Sequence, residues 1–378
     1  MFEALIAAVR DHYRTTGPIP LHAPVFAGNE QAYVAETIQS TFVSSVGSFV
    51  DRFEADMAAL TGAGRAVAVV NGTAALHIAL RLAGVGPGDL VITQPLTFVA
   101  TCNAIAYAGA DPVFCDVDRT TLGLSPEAVE GWLTDNARIG TDGLARLGER
   151  VIRACVPMHT FGHPVRLAEL ANVCARWGLV LVEDAAESLG STYRGQHTGT
   201  IGRLGSQSFN GNKILTTGGG GMILADAALG ARAKHVTTTA KVPHPFEYVH
   251  DELGWNYRMP NINAALGVAQ LERLGAFVAE KRALAQHYID GLAGLAEVVR
   301  EPEGCRSNYW LNALVCDDMA MRDALLAATN AAGVMTRPIW ALMTTLPMYA
   351  GAPRGSLPMA EWLAARVVNL PSGIRGGG

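Results

Sequence analysis

The segment Ser208-Phe209-Asn210-Gly211-Asn212-Lys213 sets a lone lysine among small and apolar residues, in a chain with only a handful of lysines. A lysine stripped of water loses basicity and becomes a nucleophile able to form an imine with an aldehyde. Upstream, Val182-Glu183-Asp184-Ala185-Ala186-Glu187-Ser188 places acids directly after an apolar run. A carboxylate at such a strand end costs desolvation unless it is paired, and a protonated ring nitrogen is a fitting partner for Asp184. Glu183 is expected to face away or to make a structural contact. A third stretch, Asn71-Gly72-Thr73-Ala74-Ala75, stands between a strand-like run and a helical one. Free N–H groups at a helix start, at the positive end of its dipole, make an anion pocket. Gly72 permits close approach there and Thr73 adds a hydroxyl. No Gly-Lys-Ser/Thr follows, so this is not a nucleotide-binding P-loop.

Each stretch alone also reads as ordinary structure: an Asn-Gly turn with a helix cap, a strand-end cap, a surface lysine in a turn. Together they are the three parts of a pyridoxal phosphate site. The acid keeps the pyridine nitrogen protonated, the lysine holds the aldehyde and then moves a proton, and the helix start holds the phosphate. Ser208 can bond the same phosphate as Thr73.

The elements that must position these residues alternate along the first ~250 residues, a spacing of strands and helices typical of α/β folds. Strand-like runs are Arg65–Val70, Leu90–Thr93, Pro112–Val117, Ile152–Met158 and Leu179–Val182. Helical patterns cover Thr73–Leu82, Phe98–Tyr107 and Val165–Arg176. Apolar runs without clean alternation suit a mostly parallel sheet covered on both faces, with ligands at the carboxyl ends of its strands. After about residue 245 the texture changes: Ile262–Leu292 reads as one long helix, followed by shorter elements such as Trp310–Val315 and Met319–Ala332. The expected organisation is a large cofactor-binding unit over residues 1–248 and a small α+β unit over 249–378. Four consecutive glycines, Gly218–Gly221, require a close backbone approach, and Gly376–Gly378 is expected to be disordered.

The composition excludes several classes. With 29 basic and 34 acidic residues the net charge is −5, without the basic excess of a nucleic-acid binder. Six cysteines form no C-x-x-C pair, so no zinc or other metal site is expected, and their apolar settings suggest reduced core thiols. The first fourteen residues read as an amphipathic helix and no apolar run reaches a membrane span of about 18 residues. A cytoplasmic protein is expected.

NGTAALHIAL, PLTFVATCNAI, VEDAAESLGS, SFNGNKILTTGGGGM and GWNYRMPNINAALG, in this order, resemble the DegT-type nucleotide-sugar aminotransferases, with likeness running from Ile19 to Pro371. Within that family, TFVSSVGSFVDRFE and ITQPLTFVATCNAI look most like enzymes aminating C4 of a UDP- or GDP-linked 4-keto-6-deoxy-2-acetamido sugar, on routes to bacillosamine and legionaminic acid. The resemblance implies the fold type I architecture, pyridoxal 5'-phosphate as cofactor, L-glutamate as donor and a homodimer with shared active sites. It implies Lys213 as the cofactor-bearing lysine and Asp184 as partner of the pyridine nitrogen. Gly72, Thr73, Ala74 and Ser208 match the phosphate site, Phe98 the aromatic stacked on the ring, and Asn256 an asparagine reaching the neighbouring subunit's phosphate. His159, Tyr257 and Arg337 are candidate substrate contacts.

The chain departs from the family pattern at three places. Glu187 stands where many members carry a glutamine that bonds the cofactor's phenolic oxygen; a carboxylate there is repulsive unless protonated or turned toward substrate. Gly219 replaces a glutamate, and Thr344 a histidine. Alternatives are amination of another nucleotide keto sugar, dTDP-linked or GDP-4-keto-6-deoxymannose, at C3 or C4, and, from another class, a non-catalytic sugar-nucleotide-binding regulator.

Overall fold

The computed structural model describes residues 1–375, so the expected disorder of Gly376–Gly378 lies outside it. Three helices precede the first strand: α1 (Phe2–Tyr13), α2 (Glu30–Gln39) and α3 (Ser48–Thr61). The main sheet is then built from β1 (Arg65–Val69), β2 (Leu90–Thr93), β3 (Asp111–Phe114), β4 (Arg150–Val156), β5 (Val180–Asp184), β6 (Leu204–Ser208) and β7 (Gly221–Ala225). Their order is β1-β7-β6-β5-β4-β2-β3, with the short strands Arg138–Ile139 and Ala145–Leu147 attached beside β4. Among the described pairings of these seven strands only those of β7 are antiparallel. The runs that lacked alternation are buried on both faces, as in Leu90–Thr93.

Helices α4 (Gly72–Leu82) and α5 (Val99–Tyr107) follow β1 and β2 and pack on each other. Asn71 starts α4: its side chain accepts the Ala74 N–H at 2.8 Å. Residues Ala74 to Leu80 are all buried, because α4 is pressed against β6 and β7 as well as α5.

Strand register brings the candidate residues to one edge. Val69 and Ser208 both pair with Gly221, and Ser206 pairs with Asp184, which bridges to Met158. The turns after β1, β5 and β6 therefore open side by side, at the carboxyl ends of parallel strands.

The long helix expected over Ile262–Leu292 is two helices, α6 (Asn261–Leu271) and α7 (Leu274–Gly291). Different partners pull on the two halves. Helix α6 packs on α2 and α3, whereas α7 packs on α1. At the break, Glu272 accepts from Asn29, Tyr33 and Arg52, and Arg273 reaches the Ala27 carbonyl. A second, four-stranded antiparallel sheet follows: β8 (Glu297–Val298), β9 (Asn312–Val315), β10 (Arg337–Pro338) and β11 (Val367–Leu370), in the order β8-β9-β11-β10. Leu5 and Val9 of α1 share a core cluster with Leu284, Tyr288, Leu314 and Val368. Helix α1, from the N-terminal end of the chain, thus lies with the small sheet, and α6, which follows residue 248, lies with α2 and α3.

Candidate active site

A cavity of about 280 Å³ lies where the turns after β1, β5 and β6 meet, and Gly72, Thr73, Phe98, Asp184, Glu187, Ser208 and Lys213 all line it. Trp310 and Trp340, from the C-terminal part of the chain, close its other side.

The anion end is the start of α4. The N–H groups of Gly72 and Thr73 have no backbone acceptor among the described residues. Gly72 is needed sterically: a Cβ there would stand 2.7 Å from Cβ and 3.0 Å from Oγ of Ser208. Its absence keeps the Ser208 hydroxyl beside the helix start. Ala74 differs from expectation, since its N–H is spent on Asn71 and it does not line the cavity. A Cβ at Gly220 would fall 2.3 Å from Thr217 Oγ1, and one at Gly221 would fall 2.4 Å from the Asn71 carbonyl oxygen. Gly219 has open space, so its difference from a glutamate is sterically free.

The acid end is β5 and its turn. Asp184 is 5% exposed; Oδ2 accepts from Thr101 Oγ1 at 2.7 Å and Oδ1 from the Ala186 N–H at 3.2 Å. Burial pushes its carboxyl above the usual range, and those two bonds oppose the shift only in part. Glu187 is raised too, chiefly by burial, with Lys213 and the Phe161 N–H pulling the other way. Its Oε2 accepts that N–H at 2.9 Å, and Oε1 lies 3.3 Å from Lys213 Nζ. The amine also lies over the Trp310 ring, 4.0 Å from the centroid.

Glu183 does face away. Its carboxylate accepts N–H groups of Gly199, Ile201 and Gly202 at 2.6–2.7 Å and lies 3.0 Å from His159 Nε2. Burial alone would raise it, but these donors outweigh burial and hold it below the usual range. His159 is thereby occupied: its Nδ1 accepts from the Val165 N–H at 3.3 Å, and Met158, not His159, lines the cavity.

Three further candidates lie elsewhere. Tyr257 packs against His77 of α4, with its hydroxyl 3.5 Å from Nδ1. Asn256 is exposed and accepts from the Arg258 guanidinium at 2.9 and 3.1 Å. Arg337 is exposed on β10. Thr344 sits in the turn Met343–Thr345, outside the cavity. Sequence reasoning missed Thr101, Trp310 and Trp340. Thr101 lies one helical turn after Phe98, a spacing that offered a signal. The two tryptophans carried none that separated them from core residues.

A lysine amine, a buried acid and a helix-start anion cradle around one cavity are the chemical groups that an aldehyde cofactor with an anionic tail requires. Known proteins give the class its name. The model of the DegT/DnrJ/EryC1/StrS aminotransferase family matches residues 25–375, and the chain belongs to that family. It is a pyridoxal phosphate-dependent aminotransferase of nucleotide-linked sugars. GDP-perosamine synthase of Escherichia coli O157:H7 is 36% identical over 355 residues, 94% of this chain and 93% of that protein. The enzyme of that name from Caulobacter vibrioides is also 36% identical, with 94% and 93% covered. The crystal structure of the aminotransferase TlmJ from Streptoalloteichus hindustanus superposes with a TM-score of 0.85 at 33% identity, covering 94% of each chain.

The residues present fit the cofactor. The Gly72–Ser208 cradle would be filled by a single added methyl group, and the donors there suit a phosphate. Of the lysines, Lys213 alone lines the cavity among the described residues: Lys234 pairs with Glu54, Lys241 lies over Tyr248, and Lys281 is buried behind Trp310.

Proposed function

We propose that this chain transfers an amino group from L-glutamate to C4 of a UDP- or GDP-linked 2-acetamido-4-keto-2,6-dideoxyhexose, in bacterial surface-glycan or nonulosonic acid synthesis. The observation that carries the catalytic part is the placing of Lys213 and Asp184 on one cavity. When bound, pyridoxal phosphate supplies an aldehyde carbon and an electron-accepting ring. In this reading the Gly72 and Thr73 N–H groups and the Ser208 hydroxyl hold the phosphate. Phe98 flanks the ring. Asp184 holds a proton on the pyridine nitrogen, and Thr101 aims its carboxylate. Lys213 Nζ takes the proton from the donor's α-carbon and returns one to the sugar's C4. Glu187, whose carboxyl burial pushes up, takes the place where many relatives use a glutamine, with its Oε1 toward Lys213 Nζ.

The site is read as shared in a homodimer, with Asn256 serving the partner's phosphate. Its exposed position, away from its own cavity, supports that role. A cytoplasmic location belongs to the same reading. All six cysteines are free thiols, and no described helix is long and apolar enough to cross a membrane. A second reading, with GDP-4-keto-6-deoxymannose as acceptor, is favoured by the relatives named GDP-perosamine synthase. A panel of UDP-, GDP- and dTDP-linked keto sugars, incubated with glutamate and followed by product mass, decides between them. Amination of the acetamido sugar supports the first reading, and amination of the GDP-deoxymannose substrate alone the second. No aminated product from any of them defeats both.

A further inference from the structure

We propose that Trp310 is a positioning residue for Lys213: its indole fixes the turn that carries the lysine and gives the amine a face to rest on while it is uncaptured. The inference rests on the reading of Lys213 as the amine that captures the cofactor.

Trp310 is 4% exposed, which a core tryptophan would explain. Its polar atoms need a further explanation. Nε1–H donates at 2.7 Å to the carbonyl of Asn212, the residue directly before Lys213. The same ring lies 4.0 Å from Lys213 Nζ, within reach of a cation–π contact. One side chain thus holds both the backbone of the turn and the amine at its tip. With Glu187 Oε1 at 3.3 Å, the amine has both a carboxyl oxygen and an aromatic ring as neighbours.

Trp310 is itself fixed from behind. Its backbone N–H donates to Asn308 Oδ1 at 2.8 Å. The Asn308 amide also donates to the carbonyls of Glu187 and Leu189, both at 2.9 Å, so it spans Trp310 and the turn after β5. Asn308 is fully buried, and Gly162 is glycine beside it, since a Cβ there would overlap Oδ1. The Trp310 carbonyl accepts from Lys281 Nζ at 3.0 Å, and Lys281 donates again to the Ser372 carbonyl at 2.6 Å. The spacing between Lys213 and Asp184 is therefore braced from the C-terminal part of the chain. Holding a nucleophile in its reactive pose is a large lever on a condensation.

The test separates capture from docking. Capture forms a C=N bond between Nζ and the aldehyde carbon and expels the aldehyde oxygen as water, with both hydrogens of the neutral amine. Pyridoxamine 5'-phosphate has no aldehyde and can only dock. The full chain, freed of cofactor, is mixed with pyridoxal 5'-phosphate, and visible absorbance gives the capture rate. Pyridoxamine 5'-phosphate affinity is measured by calorimetry. Trp310→Phe keeps a ring face and loses the N–H; capture is expected to slow about tenfold, with pyridoxamine 5'-phosphate affinity within about twofold of wild type. Trp310→Leu loses the ring face that limits where the amine can sit as well as the N–H, and should slow capture further, about a hundredfold. Normal capture by Trp310→Phe, or parallel loss of both ligands, would overturn the proposal. A wild-type chain that captures nothing would overturn the reading of Lys213 and this inference with it.

Discussion

Thr101 Oγ1 donates a 2.7 Å hydrogen bond to Asp184 Oδ2, tying the first turn of α5 to the carboxyl end of β5. The two residues come from different strand–helix units and meet only because β2 and β5 lie on either side of β4. The bond works against the upward push of burial on the carboxyl. It leaves the other oxygen to the Ala186 N–H and fixes the plane in which the carboxylate can meet a ring nitrogen.

Removing that donor should therefore weaken the acid without unfolding the chain. Thr101→Val is expected to lower kcat/KM about tenfold, the ordinary consequence of a lost bond to a buried charged group. Thr101→Ser should keep most of the activity. Steady-state kinetics with glutamate and the accepted keto sugar read both. Equal activity in Thr101→Val would remove the role given to this contact.

The raised carboxyl of Asp184 makes a pH prediction for the cofactor-free chain. A group whose folded pKa lies above its unfolded value adds most to stability below the unfolded pKa, and that contribution is lost as pH rises through the folded one. Cofactor-free Asp184→Asn should then melt higher than cofactor-free wild type at neutral pH, by a few degrees. The gap should close as pH falls toward about 4, the unfolded carboxylate range. With cofactor loaded, the order should reverse, because the acid then has a cationic partner. Melting curves at several pH values, with and without pyridoxal phosphate, check the sign. A gap that widens on acidification contradicts it.

Asn256 is expected to act in the neighbouring subunit. Lys213→Ala and Asn256→Ala proteins, each of low activity, should recover part of it when mixed under subunit exchange. One of the two sites in a mixed dimer would then carry both intact residues. Heterodimers that form, as seen by native mass spectrometry, yet stay inactive would refute the shared site.

The legible residues broke the local texture of the sequence. Lys213 stood among small residues, Asp184 ended a run of buried valine and leucine, and Gly72 followed an asparagine between strand and helix. Each is positioned by its own short segment, and sheet register does the rest. Thr101 and Trp310 became visible only in the fold, since neighbours along the chain say nothing of a partner across the sheet. The same reason hid the break between α6 and α7: the apolar pattern runs on through Glu272 and Arg273, and contacts with α2 and the segment before it interrupt the helix. His159 misled in the opposite direction. It stands at a strand end by the site, but Glu183 turns its ring away.

Borohydride reduction of the pyridoxal phosphate-loaded protein, followed by digestion and peptide mass mapping, tests the central claim most directly. One reduced phosphopyridoxyl group should appear, on the peptide containing Lys213, and be absent from Lys213→Ala. A label on Lys234, Lys241 or Lys281 in its place, or no label at all, would contradict the account.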